Sequence, residues 1–277
     1  MKIELIESLD KRAEPSVAWQ IEQVRRGQAD CLFLLNPHED AKSICESLGL
    51  KDSQVFDMAS RESLESVPGG SGRFLFDIKV PNQGQINLDE EGAVNFSSAG
   101  QRIANVVLFS NSHYLVQAIA WLDQDGHVSR KDVYRRNGQL FAQQYFNRGE
   151  LLESDFYFGH DIAVLSDFYF LGRRNFSRVF GISYPSYEAA QQDYFAKIEG
   201  ESEVEITKIG SLGTIAKKAV LALPQGLFDE NEAVDAEVQM ILENPSYPID
   251  EVRVSAEDYQ KAERLGLPLY KLKVVNF

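Results

Sequence analysis

The chain has few cysteines, an excess of acidic over basic residues, and no long apolar run. Its 277 residues include 2 Cys, Cys31 and Cys45, whose number and spacing indicate neither a disulfide framework nor a zinc site. The 42 Asp and Glu outnumber the 28 Lys and Arg, which argues against a general nucleic-acid binder and against adhesion to an anionic membrane. No segment resembles a signal peptide or a membrane-spanning helix. We therefore expect a cytoplasmic protein with two buried free thiols.

Signatures of catalysis are equally scarce. The four histidines are His38, His113, His127 and His160. They form neither an i, i+4 helical pair nor an HxH pattern, and the chain has no GxSxG motif. His160-Asp161 is an adjacent pair after a predicted strand, but its composition is more typical of a hydrated turn. The glycine-rich segment 67–72 lacks the lysine of a phosphate-binding loop and predicts a linker. The sequence predicts no catalytic, cofactor-binding or metal-binding residue.

Both ends of the chain alternate between strand and helix patterns. The N-terminal part predicts strands and helices at Lys2–Glu7, Pro15–Arg26, Cys31–Leu35 and Glu39–Leu48. The C-terminal part predicts them at Tyr187–Ile198, Ala219–Leu223, Asn231–Leu242, Glu251–Ser255, Ala256–Leu265 and Tyr270–Val275. Alternating strands and helices favour a parallel sheet with helices on its faces.

The middle of the chain has a different pattern. Its regularly spaced turn glycines are Gly126, Gly138, Gly149 and Gly159. The runs between them are rich in β-forming residues, and Asp-Gly and Asn-Gly pairs favour type I′ hairpin turns. Strands joined by tight turns are antiparallel neighbours, so this region predicts a β-meander. We expect Phe74–Val80 and Ile103–Ser110 to extend the same sheet.

The two patterns together predict a split domain organisation. We expect residues 1–66 and 200–277 to form one Rossmann-like α/β domain. Residues 73–185 would form a large antiparallel β-sheet domain inserted between its halves, because a chain that leaves a domain and returns to it is typical of a domain insertion.

Several residues of the meander resemble a known family. They are Trp121-Leu122-Asp123, Gly126, Asp132 to Arg136, Gly138, Leu140 to Ala142 and Phe146-Asn147. They resemble the inserted β-sheet domain of the bacterial accessory-Sec glycosylation proteins. The most similar member is the chaperone-like, non-catalytic subunit of the two-subunit O-GlcNAc transferase that modifies serine-rich-repeat adhesins. The resemblance implies a GT-B fold with two Rossmann-like halves, of which this chain would supply the first half and its inserted sheet.

A retaining GT-B transferase, by the same resemblance, binds its sugar nucleotide mainly through the second half, with a characteristic pair of glutamates. Glu243 and Glu251 have the matching separation. Pro245 and Pro248 lie between them and disfavour the helix that would carry such a pair. We interpret the spacing as coincidental.

The meander also differs from the rest of the chain in charge and aromatic content. Residues 127–180 contain eight Arg or Lys and six Asp or Glu, whereas the whole chain carries a net charge of −14. Enrichment in aromatic residues and arginine is typical of protein interfaces. The alternative is that the rings pack internally and that the basic residues are solvated and discourage sheet-to-sheet pairing. The predicted partner- or acceptor-binding residues are Tyr134, Arg135, Arg136, Tyr145, Arg148 and Tyr157.

The predicted function follows from the resemblance. We expect a non-catalytic subunit that stabilises a catalytic glycosyltransferase partner and helps bind a Ser/Thr-rich polypeptide acceptor. It would use no cofactor and bind no nucleic acid, and would reach a membrane only through its partner. Two alternatives remain: the acceptor-side half of an active GT-B glycosyltransferase, and another accessory-Sec component that acts in export.

Overall fold

The computed structural model describes residues 1–198, 202–216 and 218–277. The helices are α1 (Pro15–Arg25), α2 (Ala41–Ser47), α3 (Tyr187–Ile198), α4 (Gly210–Ile215), α5 (Ala236–Glu243) and α6 (Ala256–Arg264). None of these described helices is long and apolar enough to cross a membrane. Residue 200, where we expected the second α/β segment to begin, lies outside the described residues.

The strands alternate with these helices near both ends of the chain and follow one another directly in its middle. They are β1 (Lys2–Ile6), β2 (Cys31–Leu34), β3 (Val55–Asp57), β4 (Glu62–Ser63), β5 (Gln85–Leu88), β6 (Val94–Ser98), β7 (Gln101–Leu108), β8 (Val116–Leu122), β9 (Val128–Tyr134), β10 (Leu140–Asn147), β11 (Glu150–Phe156), β12 (Leu165–Phe170), β13 (Arg173–Val179), β14 (Ile182–Tyr184), β15 (Glu203–Ile206), β16 (Val220–Ala222), β17 (Glu251–Val254) and β18 (Leu272–Val274).

The chain divides into two compact units. The first consists of Met1–Glu65 and Gln191–Phe277, and the second of Ser66–Ala190. The first unit contains a largely parallel sheet with helices, and the second an antiparallel sheet. The predicted α/β fold, split in sequence around a β-meander, is confirmed.

The parallel sheet of the first unit has the order β18-β17-β16-β15-β1-β2-β3-β4 among the described strands. Strand order reverses between β1 and β15, as in a Rossmann-like fold. One face forms a core in which Ile3 and Leu5 pack with apolar residues of α4, α5 and α6. The other strand positions point to the opposite face, because side chains alternate along a strand.

That opposite face contains a buried acidic pair. Glu4 on β1 lies directly opposite Glu205 on β15, and both side chains are almost fully buried. Lys2 Nζ approaches Glu205 Oε2 at 2.6 Å, and Arg253 lies 3.0 Å from Glu205 Oε1. Gln20 of α1 donates to Glu4. Burial, and then the charge of Glu205, raise the pKa of Glu4 to about 9. Glu4 is therefore protonated, and neutral, at neutral pH.

The second unit is a meander in which each described strand from β5 to β14 pairs with its neighbours in sequence. Ile103–Ser110 largely coincides with β7, as expected. The expected strand at Phe74–Val80 is wrong: Phe74 makes an isolated bridge to Leu115, and Leu75–Asp77 form a 3-10 turn. The segment is apolar because Leu75 and Ile78 pack on the sheet in a core with Phe96 and Ile119.

The hairpin turns fall into two types. Arg148 and Gly149 both have positive φ, as a type I′ turn requires. At Asp125-Gly126 and Asn137-Gly138, only the glycine has positive φ. There the amide N–H of the glycine donates three residues back, to Asp123 or Arg135. Our type I′ interpretation of these two turns is wrong; each is a type I turn followed by a left-handed glycine.

Gly138 is expected to tolerate a side chain less well than Gly126. Both have φ above +80°, but an added Cβ at Gly138 would lie 2.8 Å from the carbonyl carbon of Gly72, whereas Gly126 has nothing within 4 Å. Gly126→Ala should cost about 1–2 kcal/mol of stability from its backbone conformation alone. Gly138→Ala should cost distinctly more, as measured by thermal unfolding. Equal melting temperatures of the two variants would contradict this account.

Glu4→Gln should flatten the dependence of stability on pH. The native state keeps the Glu4 proton up to a pKa of about 9, whereas the unfolded state loses it near pH ~4.3. Between these values folding takes up a proton, so the stability contributed by this group falls as pH rises. The glutamine amide can donate to Glu205 at any pH. We expect Glu4→Gln to raise the melting temperature more at pH 8 than at pH 5.

Glu205→Gln is the matched control for that experiment. It also removes one carboxylate, but that carboxylate is the one paired with Lys2 and Arg253. It should therefore lower the melting temperature at both pH values, since it removes the buried carboxylate that Lys2 and Arg253 share. Parallel pH profiles for the parent and Glu4→Gln would show that Glu4 is ionised in the folded protein.

Candidate functional site

The antiparallel sheet brings polar and aromatic side chains together on one face at its centre. Trp121 lies opposite Arg130, and Arg130 lies opposite Tyr145. Two residues further along β9, and so on the same face, Asp132 lies opposite Gln143. Residues directly opposite each other on neighbouring strands share a face. With Tyr157, which follows β11, they form a group that we call the Tyr145 cluster: Trp121, Arg130, Asp132, Gln143, Tyr145 and Tyr157.

A hydrogen-bond network connects the Tyr145 cluster. Asp132 is buried and accepts from Trp121 Nε1 at 2.7 Å and from Gln143 Nε2 at 2.8 Å. Arg130 pairs with the same carboxylate at 3.1 Å. The oxygen of the Gln143 amide then accepts from the hydroxyls of Tyr145, at 3.2 Å, and Tyr157, at 3.1 Å. The network holds both tyrosines through their hydroxyl groups, so that the rings are fixed before any ligand arrives.

The two tyrosines are half-buried. Burial, and then the nearby charge of Asp155, raise the pKa of both hydroxyls. They therefore stay protonated at neutral pH and act as neutral hydrogen-bond groups. A fixed aromatic ring with a polar tip at a surface is well suited to binding another molecule. The cluster has the composition of a contact surface.

Tyr134 and Arg135, by contrast, lie inside the second unit. Tyr134 packs in the core, with the guanidinium of Arg73 4.6 Å above its ring. Arg135 is 9% exposed and donates to the backbone carbonyl of Phe158 at 2.7 Å. Its guanidinium also lies over the Phe141 ring at 5.6 Å. The expectation that these two side chains contribute to an exposed surface is wrong, because internal aromatic and backbone groups bind them.

The other predicted basic residues retain exposed surface. Arg136 is half-buried and lies over the ring of Phe109 at 4.6 Å. Arg148 is exposed at the turn between β10 and β11. It follows Tyr145 by three residues and places a positive charge on the same hairpin. Arg136, Tyr145, Arg148 and Tyr157 thus remain predicted contact residues. Our sequence analysis did not select Trp121 and Arg130, because strand register, which places Arg130 between Trp121 and Tyr145, is not evident from sequence alone.

The first unit contains a cleft of about 470 Å³ near the end of β1 and of β16. This is the edge at which Rossmann-like sheets bind ligands. Its two lysines are both paired: Lys11 with Glu7, and Lys208 with Glu14 at 2.5 Å. Within the described lining, the arrangement favours an uncharged ligand over a phosphate, since the cations are already neutralised.

One group of described residues has the geometry to hold a metal ion. It consists of Asp123, Asp125 and His127, all exposed in the turn between β8 and β9. Asp123 Oδ1 already accepts from the backbone N–H groups of Asp125 and His127. Through these hydrogen bonds the Asp123 carboxylate stabilises the backbone of the turn.

A comparison with protein families matches residues 85–170 to the GtfB middle domain. The match covers β5 to β12, including the Tyr145 cluster. No curated protein matches the chain.

Solved structures resemble the chain over nearly its whole length. The crystal structure of a GtfA/B complex bound to UDP and GlcNAc has a TM-score of 0.68 at 15% identity, covering 99% of this chain and 61% of that one. The pneumococcal O-GlcNAc transferase GtfA with UDP and GlcNAc has a TM-score of 0.73 at 12% identity, with 100% and 60% covered. The structure of accessory secretory proteins 1, 2 and 3 of Streptococcus pneumoniae has a TM-score of 0.73 at 10% identity, with 100% and 62% covered.

These matches confirm the predicted GT-B relationship of the fold, while the chain spans about three fifths of the length of the chains it resembles. The resemblance noted in the sequence falls within the matched residues 85–170. The predicted resemblance to the accessory-Sec glycosylation proteins is thus confirmed: residues 85–170 match the GtfB middle domain, and the fold is similar to that of chains in the GtfA/B and accessory secretory protein structures.

Proposed function

We propose that this chain is a non-catalytic subunit that stabilises a partner glycosyltransferase and helps bind a Ser/Thr-rich adhesin acceptor for O-glycosylation in the cytoplasm. The observation that carries the proposal is the GtfB middle domain at residues 85–170. Chains of similar fold occur in a GtfA/B complex. The two free cysteines, Cys31 and Cys45, are buried, which is compatible with a reducing compartment.

The geometry of the Tyr145 cluster supports the binding role. Its rings are half-buried and are fixed by the buried Asp132 and by Gln143. A preorganised surface loses little conformational entropy when it binds. The proposed contact residues are therefore Tyr145 and Tyr157 as anchors, with Arg148 adding positive charge on the same hairpin as Tyr145 and Arg136 as a further contact.

A second candidate function is a role in export. The accessory secretory protein structure resembles this chain with a TM-score of 0.73, the same value as for the transferase GtfA. Under this alternative the same fold would bind other components of the export machinery, and transferase activity would not depend on the chain.

Co-expression with a candidate transferase distinguishes these functions. We expect the two chains to purify together, and transfer to a Ser-rich acceptor to be faster with this chain than without it. The chain alone should transfer no sugar from a UDP-sugar. Turnover by the pure chain would favour the alternative of an active transferase half. Transfer that is unaffected by its presence would favour export.

Variants of the Tyr145 cluster test the contact surface through binding kinetics. Tyr145→Ala should raise the off-rate for the transferase about tenfold, because it removes a ring that acts as an anchor. Tyr145→Phe is the control that keeps the ring and should have a smaller effect. Arg148→Asn should lower the on-rate at low salt and less at high salt, since exposed charges are screened over ~10 Å at 0.1 M.

Arg148→Asn also keeps the turn intact, because Asn tolerates the positive φ of 49° at this position. Arg135→Ala, in contrast, should lower the melting temperature, since Arg135 is bound internally by Phe158. If Tyr145→Ala and Arg148→Asn both fold and bind like the parent, the transferase contacts another surface.

A further inference from the structure

Strand β5 forms one open edge of the antiparallel sheet. It pairs with β6 on one side and is the terminal strand among those described. Its side chains are exposed or half-buried, and Leu88 is 71% exposed. An open edge presents unpaired backbone N–H and C=O groups to any extended chain that approaches it.

The turn after β5 shows which backbone groups face outward. The N–H of Asp89 donates to the carbonyl of Ala93, which lies opposite it in the register of the hairpin. In an antiparallel pair, hydrogen-bonded positions alternate along each strand. Asn87 and Gln85 therefore bond to β6, and the backbone groups of Ile86 and Leu88 point to the free edge.

A groove of about 510 Å³ lies along this edge. Ile86 and Leu88 line it, and the rings of Phe76 and Tyr114, 5.5 Å apart, line it as well. Phe76 is 70% and Tyr114 52% exposed. The same two residues, Ile86 and Leu88, thus offer free backbone groups to the edge and apolar side chains to the groove.

One end of the groove is acidic. Glu90 and Glu91 closely follow Leu88, in the turn whose Gly92 lines the groove, and both are exposed. A chain that adds antiparallel to β5 would bring its N-terminal end to these two glutamates. Their charge would favour a lysine or arginine at that end.

We propose that an extended polypeptide binds at β5 by strand addition. The ligand would carry an apolar side chain at every second residue, facing the groove, with serine or threonine between them, and a basic residue at its N-terminal end. The β5 edge is then a polypeptide-binding site separate from the Tyr145 cluster. The identification of this ligand as a Ser/Thr-rich acceptor rests on the proposed function, whereas strand addition does not.

The test uses the whole chain and a fluorescein-labelled peptide of two lysines followed by alternating valine and serine. We expect fluorescence anisotropy to show binding that Phe76→Ser and Leu88→Ser each weaken about tenfold, as the loss of an interface anchor does. Val107→Ser is the matched control. Val107 is also exposed, at 48%, but it alternates with the core residue Val106 and so points to the other face.

Two altered peptides test the mode of binding. One peptide is N-methylated at its odd-numbered residues and the other at its even-numbered residues. Only one of the two should lose binding, because only every second backbone N–H of an added strand donates to β5. A peptide with the same composition but consecutive valines should bind more weakly. Replacing Glu90 and Glu91 together by lysine should weaken binding of the basic peptide and favour one that begins with two glutamates.

The proposal is overturned if the parent does not bind the peptide, or if Val107→Ser affects binding as much as Phe76→Ser and Leu88→Ser. Equal binding of both methylated peptides would exclude strand addition. Co-purification with the transferase is measured on the same variants. Peptide binding at the edge without co-purification would overturn the proposed function and leave this inference intact. Co-purification without peptide binding would overturn this inference and leave the proposed function intact.

Discussion

The pairing of β1 with β15 is the constraint on which the first unit depends. It joins the beginning of the chain to the segment that follows the meander, with Glu4 directly opposite Glu205. The entropic cost of closing a loop rises only slowly with its length, so a whole folded unit fits between the two strands. The cost at the junction is instead electrostatic: two carboxylates share a buried position, which is tolerated because Glu4 keeps its proton and Lys2 and Arg253 bind Glu205.

The same acidic pair explains why strand β15 could not be predicted from the sequence. β15 reads Glu-Val-Glu-Ile, and its charged residues conceal a buried central strand, so we did not predict it. The meander was easier because each strand pairs with the next and its glycines mark the turns. Three turns were not predicted because the residue before the glycine is not Asn or Asp. In these turns Ala99, Leu171 and Phe180 adopt the positive φ that Asn or Asp would favour.

Strand alternation could not place Arg135. The register between β9 and β10 shifts between Leu140 and Ala142, and this irregularity breaks simple alternation at the Arg135 end of the hairpin. Arg135 is then bound by Phe158, which is distant in sequence. An arginine that stacks on aromatic rings and donates to a carbonyl is stable inside a protein. Local charge counts cannot distinguish it from a solvated arginine such as Arg148.

The two proposed binding surfaces use different parts of one sheet. The Tyr145 cluster offers side chains on the face near β10, whereas β5 offers backbone groups at the edge, five strands away. At ~4.8 Å per strand, these positions lie roughly 24 Å apart. The two surfaces share no residue, so a ligand at one does not occupy the other. Side-chain contacts at the Tyr145 cluster would select the protein partner. Backbone pairing at β5 would tolerate variation in the sequence of the bound polypeptide.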